Sequence, residues 1–353
     1  MATLSPAPAT TSARAANGSP IVVGSRGSAL ALWQTNWALD RVRERAPDAQ
    51  FSIHTITTQG DHTQAHNTPL ARLGDKGVFV AELERALLDG ALDIAVQPMN
   101  DHALALAEAQ AERGAIDAAV HSLKDLPSVV TAGLALAAIT EREDPRDALV
   151  SRAGLRLDEL PAGATVATSS LRRRAQLLHR RPDLRIVEIR GNVDTRLRKA
   201  LAADGPDATI LAAAGMLRLG LAQHITELLS VETLTPAAGQ GALAIETRAD
   251  DRRARRMLRV IDHLPTRRAV LAERAVLAGL GGGCLVPLGA HATIAADGET
   301  LRLLAVVASP DGQRLLRVER TGSANRPVAL GRMVARELLR QGAGEIVRAV
   351  LGR

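Results

Sequence analysis

Tyrosine is absent from this chain of 353 residues, and its only other aromatics are two tryptophans and two phenylalanines. That removes the stacking platforms on which proteins hold single-stranded nucleic acid. The net charge of +6 therefore points elsewhere, and no nucleic-acid partner is expected. Lysine is nearly absent too: of 44 basic residues only Lys76, Lys124 and Lys199 are lysines. Arginine excess can reflect genome composition, but it also suits planar, bidentate recognition of carboxylates and phosphates. Where arginine fills almost every basic position, each remaining lysine is a candidate for a point-charge role. There is one cysteine, Cys284, which excludes an intrachain disulfide and a multi-cysteine zinc site. A single thiol fits a reducing compartment, so a cytoplasmic location is expected. The nine histidines are scattered, with no His-x-x-x-His pair beside carboxylates, so no metal is expected. No apolar run reaches the roughly 18 residues that span a bilayer. A Gly-rich loop ending in Lys-Ser/Thr and a nucleophile elbow are also missing.

What is present reads as alternating strands and helices. Ile21–Gly24 is a short buried strand, and Ser28 opens an amphipathic helix to about Arg45. Strands are predicted at 51–57, 93–96, 134–140, 165–167, 185–189, 208–211 and 242–246, with helices at 79–89 and 251–261 and helix starts after Ser169-Ser170 and Asn192. Past about 262 the pattern changes to one helix, three alternating strands near 290–295, 301–308 and 314–320, and two helices near 327–340 and 344–350. Residues 1–20 lack the charged start and apolar stretch of a secretory signal and read as a disordered tail. The expected division is a first α/β domain over 21–140 with 242–261, a second over 146–236, and a small α+β domain over 264–353.

An internal repeat interrupts the first domain. Val80–Asp101 aligns with Leu104–Asp125 at an offset of 24, with Glu84/Glu108, Gly90/Gly114, Asp93/Asp117, Val96/Val120 and Asp101/Asp125 among the matches. This is a local duplication of one helix–strand unit rather than a solenoid. The copies end differently, in Gln97-Pro-Met-Asn-Asp101 and His121-Ser-Leu-Lys-Asp125. Because only the second keeps the Lys-Asp pair, it is expected to supply the active strand. The first copy is expected to be the insertion, near 93–116, packed at the domain edge or partly disordered.

Three strand-to-helix junctions combine Ser, Thr, Gly and Arg: Gly24-Ser-Arg-Gly-Ser28, Thr168-Ser-Ser-Leu-Arg-Arg173 and Arg190-Gly-Asn192. A helix start offers unpaired N–H donors and a positive dipole end, so each can hold an anion. Any one of them is equally an ordinary cap with solvated arginines; three together suggest a cleft for a polyanion. Lys124-Asp125 follows a strand, where a carboxylate suits acid–base work, or else forms a surface turn. Cys284 lies behind three glycines and before Pro287. It is either a small buried filler or an accessible thiol.

Taken in order, these segments resemble the hydroxymethylbilane synthase (porphobilinogen deaminase) family. The segments are Ser25-Arg-Gly-Ser-Ala-Leu-Ala-Leu-Trp-Gln34, Gly74-Asp-Lys-Gly-Val-Phe-Val-Ala-Glu-Leu-Glu84, Ala119-Val-His-Ser-Leu-Lys-Asp-Leu-Pro127, Glu141–Asp147, Thr168–Arg173, Arg190–Arg196, Gly239-Gln-Gly241 and Gly281–Pro287. The resemblance implies an α/β protein with two type II periplasmic-binding-protein-like α/β domains plus a small C-terminal α+β domain. It implies a dipyrromethane cofactor joined by a thioether to Cys284. It further implies a transferase that joins four porphobilinogen units in turn, releasing ammonia, and then hydrolyses off linear hydroxymethylbilane. Asp125, with Lys124, is the implied catalytic position, assisting proton transfer to the leaving amine and stabilising the positive azafulvene. Cofactor contacts are implied at Ser28, Lys124, Asp125, Thr168, Ser169, Arg172, Arg173, Gly191 and Gly241. Substrate contacts are implied at Arg26, Lys76, Phe79, Arg190, Arg196, Arg218 and Gln240. A monomer is implied as well. The duplication departs from the family pattern, which keeps an activity-impaired deaminase open beside a non-catalytic anion-binding protein of the same fold.

Overall fold

The computed structural model describes residues 20–58, 80–89, 116–281 and 286–352. In chain order the first elements are β1 (Ile21–Ser25), α1 (Ala29–Arg45), β2 (Phe51–Thr55), α2 (Ala81–Asp89), β3 (Ala118–Ser122) and β4 (Leu134–Ile139). Next come β5 (Asp147–Ser151), β6 (Thr165–Ala167), α3 (Leu171–Arg180), β7 (Arg185–Val187), α4 (Val193–Leu201), β8 (Ala208–Ala212), α5 (Ala213–Arg218) and β9 (Glu227–Leu229). The chain then returns through β10 (Leu243–Arg248), α6 (Arg252–Leu258) and α7 (Leu264–Gly279). It ends in β11 (Leu288–Ile294), β12 (Thr300–Ala308), β13 (Leu315–Ser323), α8 (Pro327–Arg340) and α9 (Ala343–Leu351).

Two five-stranded sheets result, in the orders β2-β1-β3-β10-β4 and β7-β6-β8-β5-β9. In each, the first three strands run parallel and the last two pairings are antiparallel. The inner parallel strands β1, β6 and β8 are each followed by a helix, and all three are largely buried. The third sheet, β11-β12-β13, is antiparallel. One of its faces packs against α7, α8 and α9 in a core that includes Val276, Leu303, Val307, Val334 and Leu338.

Local chemistry sets the helix starts. Ser28 has extended backbone and its hydroxyl accepts from the Ala31 N–H at 3.3 Å, which satisfies one of the unpaired donors of the first turn. Ser170 does the same for α3 through the Arg173 N–H. Pro265 follows the His263 cap of α7, where its missing N–H costs nothing.

Asp147, inside the expected second domain, is the first residue of β5, a fully buried interior strand of the second sheet. One expectation changes: the repeat resolves differently from the edge insertion expected. The second copy supplies β3, but the helix of the first copy, α2, is core: Leu83 and Leu87 are 1% and 0% exposed and pack with Ile116, Ala119 and Leu134. The Ile116 N–H faces the Ala86 carbonyl at 3.5 Å. Among the described residues, the first copy thus contributes a core helix and the second a sheet strand. Ile116, placed inside the expected insertion, is completely buried. The predicted strand at 93–96, the first copy's Asp101 and nearly all of residues 1–20 lie outside the described residues.

Candidate active site

A cavity of about 340 Å³ lies between the two sheets' carboxyl-terminal edges and touches the third unit through Leu277, Val286 and Leu288. Six segments of the two lobes reach it. The β1–α1 junction brings Arg26 and Ser28, the turn after β3 brings Lys124 and Asp125, and α3 with the start and body of α4 brings Arg172, Arg173, Gly191 and Arg196. The last turn of α5 brings Arg218, and the 237–242 turn brings Gln240 and Gly241. Among the described residues the lining holds six cationic side chains and one carboxylate, Asp125. Such a surplus of positive charge fits a ligand with several negative groups.

The turn after β3 is a single 3-10 turn, Leu123–Asp125. Leu123 is buried and its N–H donates to the Ala242 carbonyl at 3.0 Å, so the following two side chains are turned towards the cavity. Lys124 is half-buried, and its Nζ donates to Gln240 Oε1 at 3.4 Å. Burial pulls its pKa down to about 8, against the favourable charge of Asp125. Burial likewise lowers Arg196 to about 10, with Arg173 adding to the effect, and lowers Arg218 to about 10 against the pull of Glu143. The Arg196 and Arg218 guanidiniums donate to the Gly191 and Gly241 carbonyls, each at 2.7 Å. These cations are held out of water with too little negative charge near them. An anionic ligand would offset that cost.

Arg172 and Arg173 differ from the others. Both are buried around Asp147, with contacts of 2.8 Å and 2.7 Å. Burial acts to raise the Asp147 carboxyl, but the two guanidiniums hold it well below the usual carboxylate range. Gln240 Nε2 also donates to Asp147 at 2.9 Å and to the Pro145 carbonyl at 2.8 Å. One buried carboxylate therefore fixes two arginines and one glutamine of the lining before any ligand arrives. Gly241 sits at φ +92° with the Glu143 carbonyl packed where a Cβ would stand, so no larger residue fits beside that wall.

Of the residues implied by the sequence, eleven meet at the cavity: Arg26, Ser28, Lys124, Asp125, Arg172, Arg173, Gly191, Arg196, Arg218, Gln240 and Gly241. Thr168, Ser169 and Arg190 lie beside it rather than in its lining. Thr168 is buried and its Oγ1 accepts from the Ser170 N–H, while the Ser169 hydroxyl donates to the Ile189 carbonyl at 2.7 Å. Their neighbour Ser170 faces the cavity instead. Lys76, Phe79 and Cys284 lie outside the described residues. Sequence reasoning missed Asp147, Gln34 and Ser122, whereas Asn192, placed in an anion-holding junction, does line the cavity. Gln34 and Ser122, joined at 3.1 Å, were visible only as polar residues at the cavity end of an apolar helix and strand. Trp33, one residue before Gln34, stacks on Trp37 with centroids 6.2 Å apart, and the Arg218 guanidinium lies 6.0 Å from its ring centre.

Fold and site together define a two-lobed α/β protein with a strongly cationic cleft, Asp125 as the one acid among its described lining residues, and a small third unit closing one side. Comparison with known sequences narrows the class. The family model described as "Porphobilinogen deaminase, dipyromethane cofactor binding domain" matches residues 21–111 and 104–256. The model described as "Porphobilinogen deaminase, C-terminal domain" matches 267–340. The chain belongs to the porphobilinogen deaminase family. The porphobilinogen deaminase of Desulforudis audaxviator is 49% identical over 94% of this chain and 97% of its own length. That of Brevibacillus brevis is 46% identical over 93% and 97%. The first model's two stretches overlap at 104–111, so the family pattern is read twice across the repeat. Among solved structures, the periplasmic aliphatic sulphonate binding protein SsuA from Escherichia coli overlaps 91% of this chain and 87% of its own, with a TM-score of 0.37 and 12% identity. The methionine binding protein MetQ overlaps 68% and 89%, with a TM-score of 0.39 and 15% identity.

Proposed function

We infer that this chain is a hydroxymethylbilane synthase. It joins four porphobilinogen molecules head to tail on a dipyrromethane primer, releases ammonia at each step, and frees the linear tetrapyrrole by hydrolysis. The observation that carries the reading is the set of buried, under-compensated cations, Lys124, Arg196 and Arg218, around the one carboxylate Asp125. Each porphobilinogen bears an acetate and a propionate, so the ligand is a row of carboxylates whose number grows with the chain. Rigid guanidinium forks suit such groups.

The donor set also fits the family's dipyrromethane cofactor, which carries the same carboxylates. Arg173, Arg196, Arg218, Ser28 and Lys124 would hold it, with Cys284 as its thioether anchor. When bound, it supplies the pyrrole carbon to which the first unit is joined, and it stays with the enzyme after hydrolysis. Asp125 stands where the aminomethyl group of an incoming porphobilinogen would lie. Its carboxylate holds the ammonium, relays a proton as ammonia leaves, and stabilises the positive charge that develops on the substrate pyrrole. Lys124, on the same turn, anchors a substrate carboxylate and so fixes the ring against Asp125. The same reading assigns a monomer acting in the cytoplasm, with porphobilinogen as its small-molecule partner and neither nucleic acid nor membrane. Among the described residues no helix is long and apolar enough to cross a membrane.

Intact-protein mass spectrometry tests this directly. The purified chain should carry an increment equal to two linked pyrroles that disappears in Cys284→Ser, and it should turn over porphobilinogen. An unmodified, inactive chain made with porphobilinogen available would refute the reading.

A further inference from the structure

Behind the Lys124–Asp125 turn, on the sheet face away from α1, lies a buried ionisable cluster that the chemistry above does not use. His121 on β3 and Glu246 on β10 are 3% and 1% exposed at the side chain, with Nε2 and Oε2 3.3 Å apart. Neither atom has a well-formed hydrogen bond to any other described group. Glu84 of α2 approaches the same place. Thr131 donates to one of its oxygens at 2.9 Å, and burial raises its pKa, with Glu246 adding to the rise. Arg274 of α7, 6% exposed, lies near enough for the Glu246 carboxylate to oppose the lowering of its pKa by burial. It donates to three successive carbonyls, Leu126 at 3.4 Å, Pro127 at 2.5 Å and Ser128 at 3.2 Å.

Those three carbonyls belong to the residues immediately after Asp125. The neighbouring residue of the same helical turn, Glu273, is wholly buried and accepts from the Gly239 N–H at 2.7 Å and from Arg142 at 2.6 Å. One turn of α7 therefore holds both walls of the cavity: the acid's turn through Arg274, and the Gln240 turn through Glu273. The same helix leads on to the Cys284 loop. Apolar residues could fill this space at no loss of stability, since burying ions is costly. What they could not do is fix three carbonyls in one orientation.

We propose that Arg274, backed by the His121–Glu246 pair, is a positioning residue that sets the Lys124–Asp125 turn against the cofactor-bearing third unit. The proposal rests on the deaminase reading, and wild-type turnover in the same assay separates the two: an inactive wild type defeats that reading, whereas an active wild type leaves the proposal to its variants.

The test uses the cofactor-loaded enzyme and the variants Arg274→Lys, His121→Gln, Glu246→Gln and the double variant His121→Gln/Glu246→Gln. Lysine keeps the charge but cannot fork across three acceptors. Arg274→Lys should lower kcat about 10-fold with KM within about twofold of wild type, while the mass shows a full complement of cofactor. The two single cluster variants should each lower kcat, and the double should be no worse than the poorer single, because the pair acts as a unit. Unchanged kcat in Arg274→Lys would overturn the proposal. So would a change confined to KM, a loss matching the fraction of protein that lacks cofactor, or strictly additive cluster variants. Should Arg274→Lys fail to fold, the cluster series alone decides by the same criteria.

Discussion

The two α/β units share one sheet plan and divide one task. Strand for strand, β2-β1-β3-β10-β4 matches β7-β6-β8-β5-β9 in order and in direction. Equivalent positions therefore face the same cleft with different chemistry. After its third strand, β3, the first unit makes a tight turn that presents Lys124 and Asp125. At the same place after β8 the second unit runs straight into α5 with Ala213 and Ala214, both buried. After its first strand the first unit offers one arginine, Arg26, whereas the second offers Arg172 and Arg173 from α3. One lobe carries the acid and the other most of the cationic grip. In a sheet of this kind the strand ends are fixed by the fold, so a short turn is enough to change the role of a lobe.

That division can be broken from either side. The largest effect should come from the first unit: Asp125→Asn should lower kcat by about 100-fold or more, since a positioned acid–base group contributes about 10² to 10⁴. KM should move little. Asp101→Ala, the same position in the first copy of the repeat, should leave kcat at the wild-type value in the same steady-state assay. The reverse result would assign the acid to the other copy.

On the second unit the matching break is Asp147→Asn. It leaves Arg172 and Arg173 buried without their carboxylate, which should cost about 3–5 kcal/mol of stability and appear as a lower urea midpoint. Smaller and more diagnostic is the pH dependence of Lys124. Its pKa is lowered to about 8, so its ammonium is charged below that pH and neutral above it. KM for porphobilinogen should therefore rise several-fold as pH passes upward through about 8. Lys124→Arg, charged throughout, should remove that alkaline rise.

The last break acts on the repeat and in the stabilising direction. Deleting 90–113 joins α2 of the first copy to β3 of the second through Gly114 and Ala115, and Ile116 N and Ala86 O already lie 3.5 Å apart. Shortening a connection of 26 residues to two should raise stability by roughly 2 kcal/mol, at about 0.6 kcal/mol per halving. Calorimetry should show a higher Tm with kcat retained.

Much of this was legible in the sequence, for local reasons. Ser28 and Ser170 announce helix starts because a hydroxyl at that place meets an orphan N–H, and the residue pattern carried α1, α8, α9 and the three C-terminal strands close to their observed limits. The scarcity of lysine singled out Lys124. What stayed hidden depends on partners far away in the chain. Asp147 was only the last residue of a matched motif, and only Arg172, Arg173 and Gln240, 25, 26 and 93 residues on, make it the anchor behind the lining. Thr168 and Ser169 carried the motif, yet their hydroxyls turn to local backbone and leave Ser170 at the cavity. The repeat showed two equivalent helices and two equivalent strands. What the structure adds is a packing contact between the copies, Leu83 of the first against Ile116 of the second.

The stacked pair on α1 has an optical consequence. Trp33 and Trp37 are the chain's only indoles, and there is no tyrosine to add background. Both belong to one helix, and the guanidinium over Trp33 is that of Arg218, which also lines the cavity. Drawing that cation towards a bound carboxylate changes the charge above an emitting ring, so the intrinsic fluorescence of the unlabelled protein is a built-in gauge of how far the cleft is filled.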